Sequence, residues 1–239
     1  MAHEPSEWMH IPSAVIGCPP GLEYLSTLDC LYVEEQVDII DLFIGFEQNN
    51  RYIIKNIYGE KIYWAVEDND CCTRCMCGGA RPFDMKVFDY RGVEVIHFRR
   101  PLRCQSCCFP CCLQVIEVFS PPGELLGTVE QNWTLCKPDY SVKNHNGETV
   151  LRITGPICML PMCCDVEFKI LSLDGQQVGR ISKNLNIVGD WLLNVHFFGI
   201  SFPLDLDVRM KAVMLGACML IDMMYMQRRD RQGCNSGRS

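Results

Sequence analysis

Between Arg51 and Lys183 the chain repeats one unit: a run of β-forming residues, a tight turn holding glycine, and a second such run. It appears as Arg51–Glu67 around Tyr58-Gly59, Phe83–Phe98 around Arg91-Gly92, and Leu113–Glu130 around Pro121-Pro122-Gly123. It continues as Tyr140–Thr154 around Asn146-Gly147 and Val166–Ser182 around Asp174-Gly175. Asn-Gly and Asp-Gly supply the positive φ angles that two-residue hairpin turns require. Within the runs, apolar and polar residues alternate, as in Tyr140-Ser-Val142-Lys-Asn, which is the period of a strand with one buried face. A further run at Cys30–Phe46 brings the expectation to six hairpins, or twelve strands. A meander of hairpins loses its exposed edges most simply by closing on itself. The fold expected is therefore mainly β, a closed twelve-stranded antiparallel barrel, and 239 residues can bury such a core without covalent staples.

The pattern changes after Lys183. Val208–Met226 reads as a helix, apolar on nearly every face from Ala212 onward, and such a helix is either enclosed or membrane-spanning. Its apolar stretch falls short of the roughly 20 residues that cross a bilayer. Asp222 would cost about 3 kcal/mol near the bilayer centre, and Arg or Lys flank the segment on both sides, so no orientation is encoded. A helix threaded through the barrel is preferred to a span. Val208, Ala212, Gly216, Ile221, Asp222 and Met226 mark its course, and Gly216, Ala217 and Cys218 would let strands approach closely. The organisation expected is a polar tail over residues 1–17, one domain over 18–228 with the apolar helix 208–226, and a polar tail over 229–239.

The chain holds 17 cysteines, most of them in three clusters that fall between hairpins: Cys71–Cys77, Cys104–Cys112 and Cys158–Cys164. That placement puts them on rim loops. The polar, acidic start lacks the cationic and apolar regions of a secretory leader, so a reducing compartment is expected and disulfides are disfavoured. An odd cysteine count forbids complete pairing in any case. On this reading the sequon Asn132-Trp133-Thr134 is unused. Zinc has support from C-x-x-C spacing at Cys72–Cys75, Cys104–Cys107 and Cys108–Cys111, although the pairs overlap and leave surplus thiols. S-acylation has support from clustered thiols beside Arg99, Arg100 and Arg103, with Phe109 and Leu113 adjacent. On composition alone lipid and metal stand level, with tolerated loop thiols as the plain alternative. A net charge of −7 argues against nucleic acid as a partner. No nucleophile elbow, His-Glu-x-x-His or phosphate loop occurs, and the histidines are scattered, so bond-making catalysis is not expected.

Several motifs occur in order over residues 18–228: Cys18-Pro-Pro-Gly-Leu-Glu-Tyr-Leu25, Arg99-Arg-Pro-Leu-Arg-Cys104, Ser120-Pro-Pro-Gly123 and Gly179-Arg-Ile-Ser-Lys183. Phe202-Pro-Leu-Asp-Leu-Asp-Val208 and Lys211-Ala-Val-Met-Leu-Gly-Ala-Cys218 complete the set. Together they resemble the phospholipid scramblase family. The resemblance implies a tubby-like barrel around a hydrophobic C-terminal helix. It also implies calcium-triggered, ATP-independent movement of phospholipids in both directions across a bilayer. It moves the cysteine cluster to palmitoylation, at Cys107, Cys108, Cys111 and Cys112 with Cys104 as a further acceptor, and disfavours zinc. Phe109 stands where the family carries another cysteine. The family is described as single-span with a cytoplasmic N-terminus, which implies a plasma-membrane protein with its barrel in the cytoplasm and a nuclear pool when unpalmitoylated.

The implied calcium loop falls on Asn194 to Asp205, with Asn194, His196, the Ile200 carbonyl and Asp205 as donors. Asn194 and His196 replace the family's Asp residues, so the affinity expected is no better than about millimolar; an apolar turn leading into the helix is the alternative. The short N-terminal tail offers no P-x-x-P ligand for SH3 or WW domains. The segment like the family's nuclear import signal departs from it at Asn184-Leu185. One apolar helix offers a headgroup no polar path except near Asp222. Either chains assemble as a homo-oligomer around a shared path, or the protein is a palmitoylated lipid- or protein-binding regulatory module that does not itself scramble.

Overall fold

The structure, a computed structural model, describes residues 7–12, 17–36, 51–68, 82–103, 113–157, 167–183 and 197–226. The strands are β1 (Cys30–Gln36), β2 (Arg51–Lys55), β3 (Lys61–Asp68), β4 (Phe83–Phe88), β5 (Glu94–Arg100) and β6 (Val115–Ser120). They continue as β7 (Glu124–Gln131), β8 (Asp139–Asn144), β9 (Thr149–Thr154), β10 (Glu167–Leu171), β11 (Gln177–Ser182) and β12 (Phe197–Ser201). Each pairs antiparallel with its neighbours in sequence, and β1 pairs with β12 to close the barrel. The expected twelve-stranded closed barrel is therefore present.

Its sixth pair differs from the sequence reading. Cys30–Phe46 supplies β1 alone among the described residues, and the twelfth strand is Phe197–Ser201, which sits between β1 and β11. The two ends of the domain make the pair that a local hairpin was expected to make.

The hairpin turns also differ in type. No residue other than glycine has positive φ among those described, whereas Gly59, Gly92, Gly147 and Gly175 lie between 75° and 86°. A type I′ turn needs positive φ at two successive residues, so Tyr58, Arg91, Asn146 and Asp174 rule it out. Instead each glycine ends a wider turn and donates its N–H to the carbonyl three residues earlier, as Gly59 does to Asn56 at 3.1 Å. Asn56, Asp89 and Asn144 open these turns, and the side-chain Oδ1 of each accepts two backbone N–H groups of its own loop. The register slips by one residue beside these turns, for example between Ile54 and Lys55. These are glycine-ended turns with a bulge rather than two-residue turns.

Along the strands burial alternates, as in β4 and β6. Inward positions such as Met85, Val87, Phe98, Val118, Ile153 and Ile170 are wholly buried. Outward positions carry charge, among them Lys86, Arg99, Glu117, Lys143, Arg152 and Lys169. The space inside is filled by helix α1 (Val208–Ile221), extended by a π turn over Asp222–Met226. Asp207 caps its start, with its carboxylate accepting from the N–H of Arg209 at 2.9 Å and of Met210 at 3.3 Å. Every residue from Met210 to Ile221 is buried, which explains why the helix has no polar face.

Gly216 lets the wall approach. A Cβ there would stand 2.8 Å from Val118 Cγ2 and 3.2 Å from Phe98 Cε1. The single-span expectation attached to the family gives way here, because α1 is enclosed by strands. Among the described residues no helix is long and apolar enough to cross a membrane.

Candidate functional site

Antiparallel alternation sorts the connections of the barrel onto two rims. The glycine turns between β2 and β3, β4 and β5, β6 and β7, β8 and β9, and β10 and β11 stand at one rim. The connections β3–β4, β5–β6 and β9–β10, whose sequences hold Cys71–Cys77, Cys104–Cys112 and Cys158–Cys164, begin and end at the other. α1 enters at the glycine-turn rim and its π turn reaches the cysteine rim. There the Tyr225 hydroxyl shares a 2.8 Å hydrogen bond with that of Tyr140 at the start of β8, and its ring packs 5.3 Å from Phe168. The cysteines themselves, including the expected acceptors Cys104, Cys107, Cys108, Cys111 and Cys112, lie outside the described residues.

The stems of the Cys104–Cys112 connection are described, and they are clamped. Arg100 ends β5 and is 1% exposed, and its Nε and Nη2 donate to Gln114 Oε1 at 3.1 and 2.6 Å. Its guanidinium also lies 6.0 Å over the Phe83 ring. Gln114 is held in turn by Gln131: its N–H donates to Gln131 Oε1 at 3.1 Å, and the Gln131 N–H donates to the Gln114 carbonyl at 2.8 Å. Outside this buried layer Arg103 Nη1 donates to the Leu113 carbonyl at 2.9 Å. Arg100 and Arg103, read from sequence as charges beside the thiols, thus differ in role: one is buried structure and the other ties the neck of the loop. Arg99 turns outward to Glu117, with Nη2 to Oε2 at 2.8 Å.

The next connection on this rim, residues 132–138, is built around the sequon. Asn132 Nδ2 donates to Asp139 Oδ2 at 2.7 Å and Ser141 Oγ at 3.0 Å, and the Asn132 N–H donates to the Asp139 carbonyl at 2.8 Å. The Thr134 hydroxyl donates to the Lys137 carbonyl. The nitrogen that would carry a glycan is employed in holding the loop.

Of the expected calcium donors, Asn194 and His196 lie outside the described residues. Ile200 is wholly buried in β12, opposite Leu31 of β1 and Ile181 of β11, so its backbone belongs to the barrel wall. Asp205 is exposed on the turn into α1, past the end of that strand. A calcium loop curls so that its oxygens converge on one point, whereas Phe197–Ser201 is extended. Among the described residues, no group of three or more His, Cys, Asp or Glu is placed to hold a metal.

Of the helix residues named from sequence, Ala212, Gly216 and Ile221 are buried in α1, Val208 stands half-buried in its first turn, and Asp222 is 4% exposed at its end. Met226 is the last residue of the π turn. Sequence reading missed Lys211, counted there as a flanking charge. It is wholly buried, and its Nζ donates to the carbonyls of Leu25, Leu28 and Leu204 at 2.9, 2.8 and 2.7 Å. It also lies 5.5 Å over the Phe202 ring. Desolvation pulls its pKa below the ordinary lysine value. This ammonium latches the 3₁₀ turn Glu23–Thr27 and the β12–α1 turn to the helix.

The family model described as Scramblase matches residues 9–228 of the chain. Phospholipid scramblase 2 of Bos taurus is 51% identical over 222 residues, covering 92% of this chain and 76% of its own length. Phospholipid scramblase 1 of Homo sapiens is 49% identical over 96% of this chain and 73% of its own. Phospholipid scramblase family member 5 of Homo sapiens is 41% identical over 89% of this chain and 79% of its own. No solved structure matches the chain.

Proposed function

The chain belongs to the scramblase family, and from that premise we propose that it acts at a membrane, moving phospholipids between the two leaflets in both directions. The observation that carries this is the family match over residues 9–228, nearly the whole domain. The anchor is a set of thioester-linked palmitoyl chains on Cys104, Cys107, Cys108, Cys111 and Cys112, since two or more chains make attachment stable. The membrane is the plasma membrane and the barrel faces the cytoplasm, with an unpalmitoylated pool able to reach the nucleus. Lipid transport, not bond-making, is the activity. ATP independence and calcium triggering come to this reading from the family resemblance alone.

A second reading is favoured by one observation. The barrel interior is filled by α1, whose residues from Met210 to Ile221 are buried. A charged headgroup cannot enter an apolar, close-packed interior at acceptable cost. On this reading the chain is a palmitoylated module that binds lipid or protein and regulates, without itself moving lipid.

One assay separates them. Purified full-length chain is placed in vesicles carrying a fluorescent phospholipid, and the outer leaflet is quenched chemically with and without calcium and without ATP. Loss of the protected inner pool supports scrambling. A pool that stays protected in both conditions sinks it and leaves the regulatory module.

A further inference from the structure

At the glycine-turn rim, beside the N-terminal segment, lies a cleft of about 240 Å³ lined among others by Ile11, Pro12, Glu23, Tyr24, Asp89 and Arg91. Ile11 and Pro12 arrive on a segment held against β3: the Lys61 N–H donates to the Glu7 carbonyl at 3.0 Å, and the Met9 N–H to the Lys61 carbonyl at 2.9 Å. Glu23 and Tyr24 stand on the 3₁₀ turn, and Asp89 and Arg91 between β4 and β5. Two buried tyrosines, Tyr24 and Tyr63, meet edge to face with ring centroids 5.7 Å apart. The Tyr63 hydroxyl donates to the Gly21 carbonyl at 2.7 Å. Tyr24 is only 2% exposed, yet its hydroxyl has no hydrogen-bond partner among the described residues. Buried hydroxyls are rarely left so, because an unmade bond is costly.

That hydroxyl faces the cleft. Desolvation raises its pKa, and the groups that act on it next, Tyr90, Asp89, Arg91 and Glu23, all line the same space. Asp89 is already engaged: its carboxylate accepts from the N–H groups of Arg91 and Val93 at 2.9 Å each and from Arg91 Nε at 3.0 Å. Glu23 is half-buried and forms no ion pair among the described residues. Two carboxylates and one guanidinium therefore leave the lining with one uncompensated negative charge, on Glu23. The rest of the sequence supplies no neighbouring cation from the adjoining segments, since residues 1–6 hold no Lys or Arg and Ser13-Ala-Val-Ile16 is uncharged. Connections 37–50, 69–81, 104–112, 158–166 and 184–196 begin and end at the cysteine rim, where the tail after Met226 also starts.

We propose that this cleft binds a primary ammonium group, which donates to the Glu23 carboxylate and the Tyr24 hydroxyl oxygen while its short carbon chain lies against Ile11 and Pro12. Charge-assisted N–H bonds to a carboxylate are among the stronger contacts such a site can make. The phenol oxygen accepts one N–H, and its own proton is left to turn to an oxygen of the same ligand. An anion would meet the Glu23 charge, and the one guanidinium is held by Asp89. A quaternary ammonium has no N–H to give either oxygen. The cleft is smaller than the roughly 300 Å³ at which pockets for drug-sized ligands begin, so a group of a few carbons suits it. That group can belong to a free amine or to the headgroup of an aminophospholipid. The site stands apart from the membrane reading, because neither source requires the chain to move lipid.

The test titrates the isotope-labelled full-length chain with ethanolamine, choline or inorganic phosphate and follows the backbone amides by NMR. Expected with ethanolamine is a saturable shift of the amides around Tyr24 and Arg91, and binding about tenfold weaker for choline. Glu23→Gln should weaken ethanolamine about tenfold, and Tyr24→Phe about fivefold. Tyr24→Phe should melt no lower than wild type, because the hydroxyl it removes has no partner in the protein. Equal binding of choline and ethanolamine overturns the proposal by reducing it to general attraction of cations. Stronger binding of phosphate than of ethanolamine overturns it too. So does the lack of any saturable shift with ethanolamine, which leaves the hydroxyl to solvent. A Tyr24→Phe chain that melts lower and binds ethanolamine as wild type does would likewise sink it. Monomeric dihexanoyl phosphatidylethanolamine, run against its phosphatidylcholine counterpart, identifies the source. Binding about tenfold tighter than free ethanolamine gives the site to a lipid headgroup, and equal binding gives it to a free amine; the ammonium site stands in both cases.

Discussion

Gly216 measures whether α1 is truly enclosed. A Cβ built there meets Val118 Cγ2 at 2.8 Å and Phe98 Cε1 and Cδ1 at 3.2 and 3.3 Å, against about 3.5–4.0 Å for comfortable carbon contacts. Neither neighbour can retreat easily, since Phe98 and Val118 are wholly buried and sit opposite one another in the β5–β6 ladder. Overpacking of this kind costs about 1–3 kcal/mol. Alanine returns about 1 kcal/mol through its better helix propensity. Gly216→Ala should therefore come out about 1 kcal/mol less stable than wild type, from the difference of those two effects. Gly216→Leu keeps much of the propensity gain but forces three further carbons into the wall, and should lose about 3 kcal/mol or more. Urea unfolding followed by tryptophan fluorescence gives the midpoints directly, with the slope expected to stay constant. The order wild type, alanine, leucine from most to least stable is the signature of an enclosed helix. Midpoints that rise through alanine and leucine are what helix propensity alone would produce, and they would refute the threaded arrangement.

Four other outcomes are expected. Lys211→Met strips the Leu25, Leu28 and Leu204 carbonyls of their shared donor and should cost about 3 kcal/mol or more; a wild-type melting temperature would dismiss the latch. Gln114→Leu removes the acceptor of two Arg100 hydrogen bonds and should cost about 2–4 kcal/mol, with faster amide exchange at Gln131 as its local readout. Burial raises the pKa of the Cys30 and Cys218 thiols. Unfolded thiols ionise from about pH 8.5 while the folded ones stay protonated, so stability holds below that pH and falls above it, by up to about 1.4 kcal/mol per pH unit for each thiol. Cys218→Ala should flatten that decline between about pH 9 and 10, and an unchanged slope would contradict it. Serine at Cys104, Cys107, Cys108, Cys111 and Cys112 together should abolish hydroxylamine-sensitive acyl labelling, and label that persists would move the anchor elsewhere.

Strands built on alternation were legible because alternation is a local signal, and five of the hairpins carry it on both sides of a glycine. Turn type was not legible in the glycine dipeptides. It depends on Asn56, Asp89 and Asn144 three residues upstream, whose side chains capture the loop amides. β12 was missed because Phe197-Phe-Gly-Ile-Ser is short, and its partners β1 and β11 are set only by closure. The all-round apolarity of α1 correctly announced enclosure, whereas Lys211 and Arg100 could not be read at all. A lysine near a helix start and an arginine among arginines look solvated, and only the folded chain brings carbonyls and Gln114 to them.

Closure by the two ends of the domain has a kinetic price. Lys211 reaches Leu25 across 186 positions, and β1 waits for a strand that is synthesised only after β11. Contacts of such separation are formed slowly. While the chain emerges, β1 and the newest strand each present a bare edge, and the interior lacks the helix that fills it, a condition that invites wrong partners. Closure of the barrel therefore waits for β12, and filling of its interior for α1. Any shortened product that ends before α1 leaves all the strands ahead of it without a core to close around.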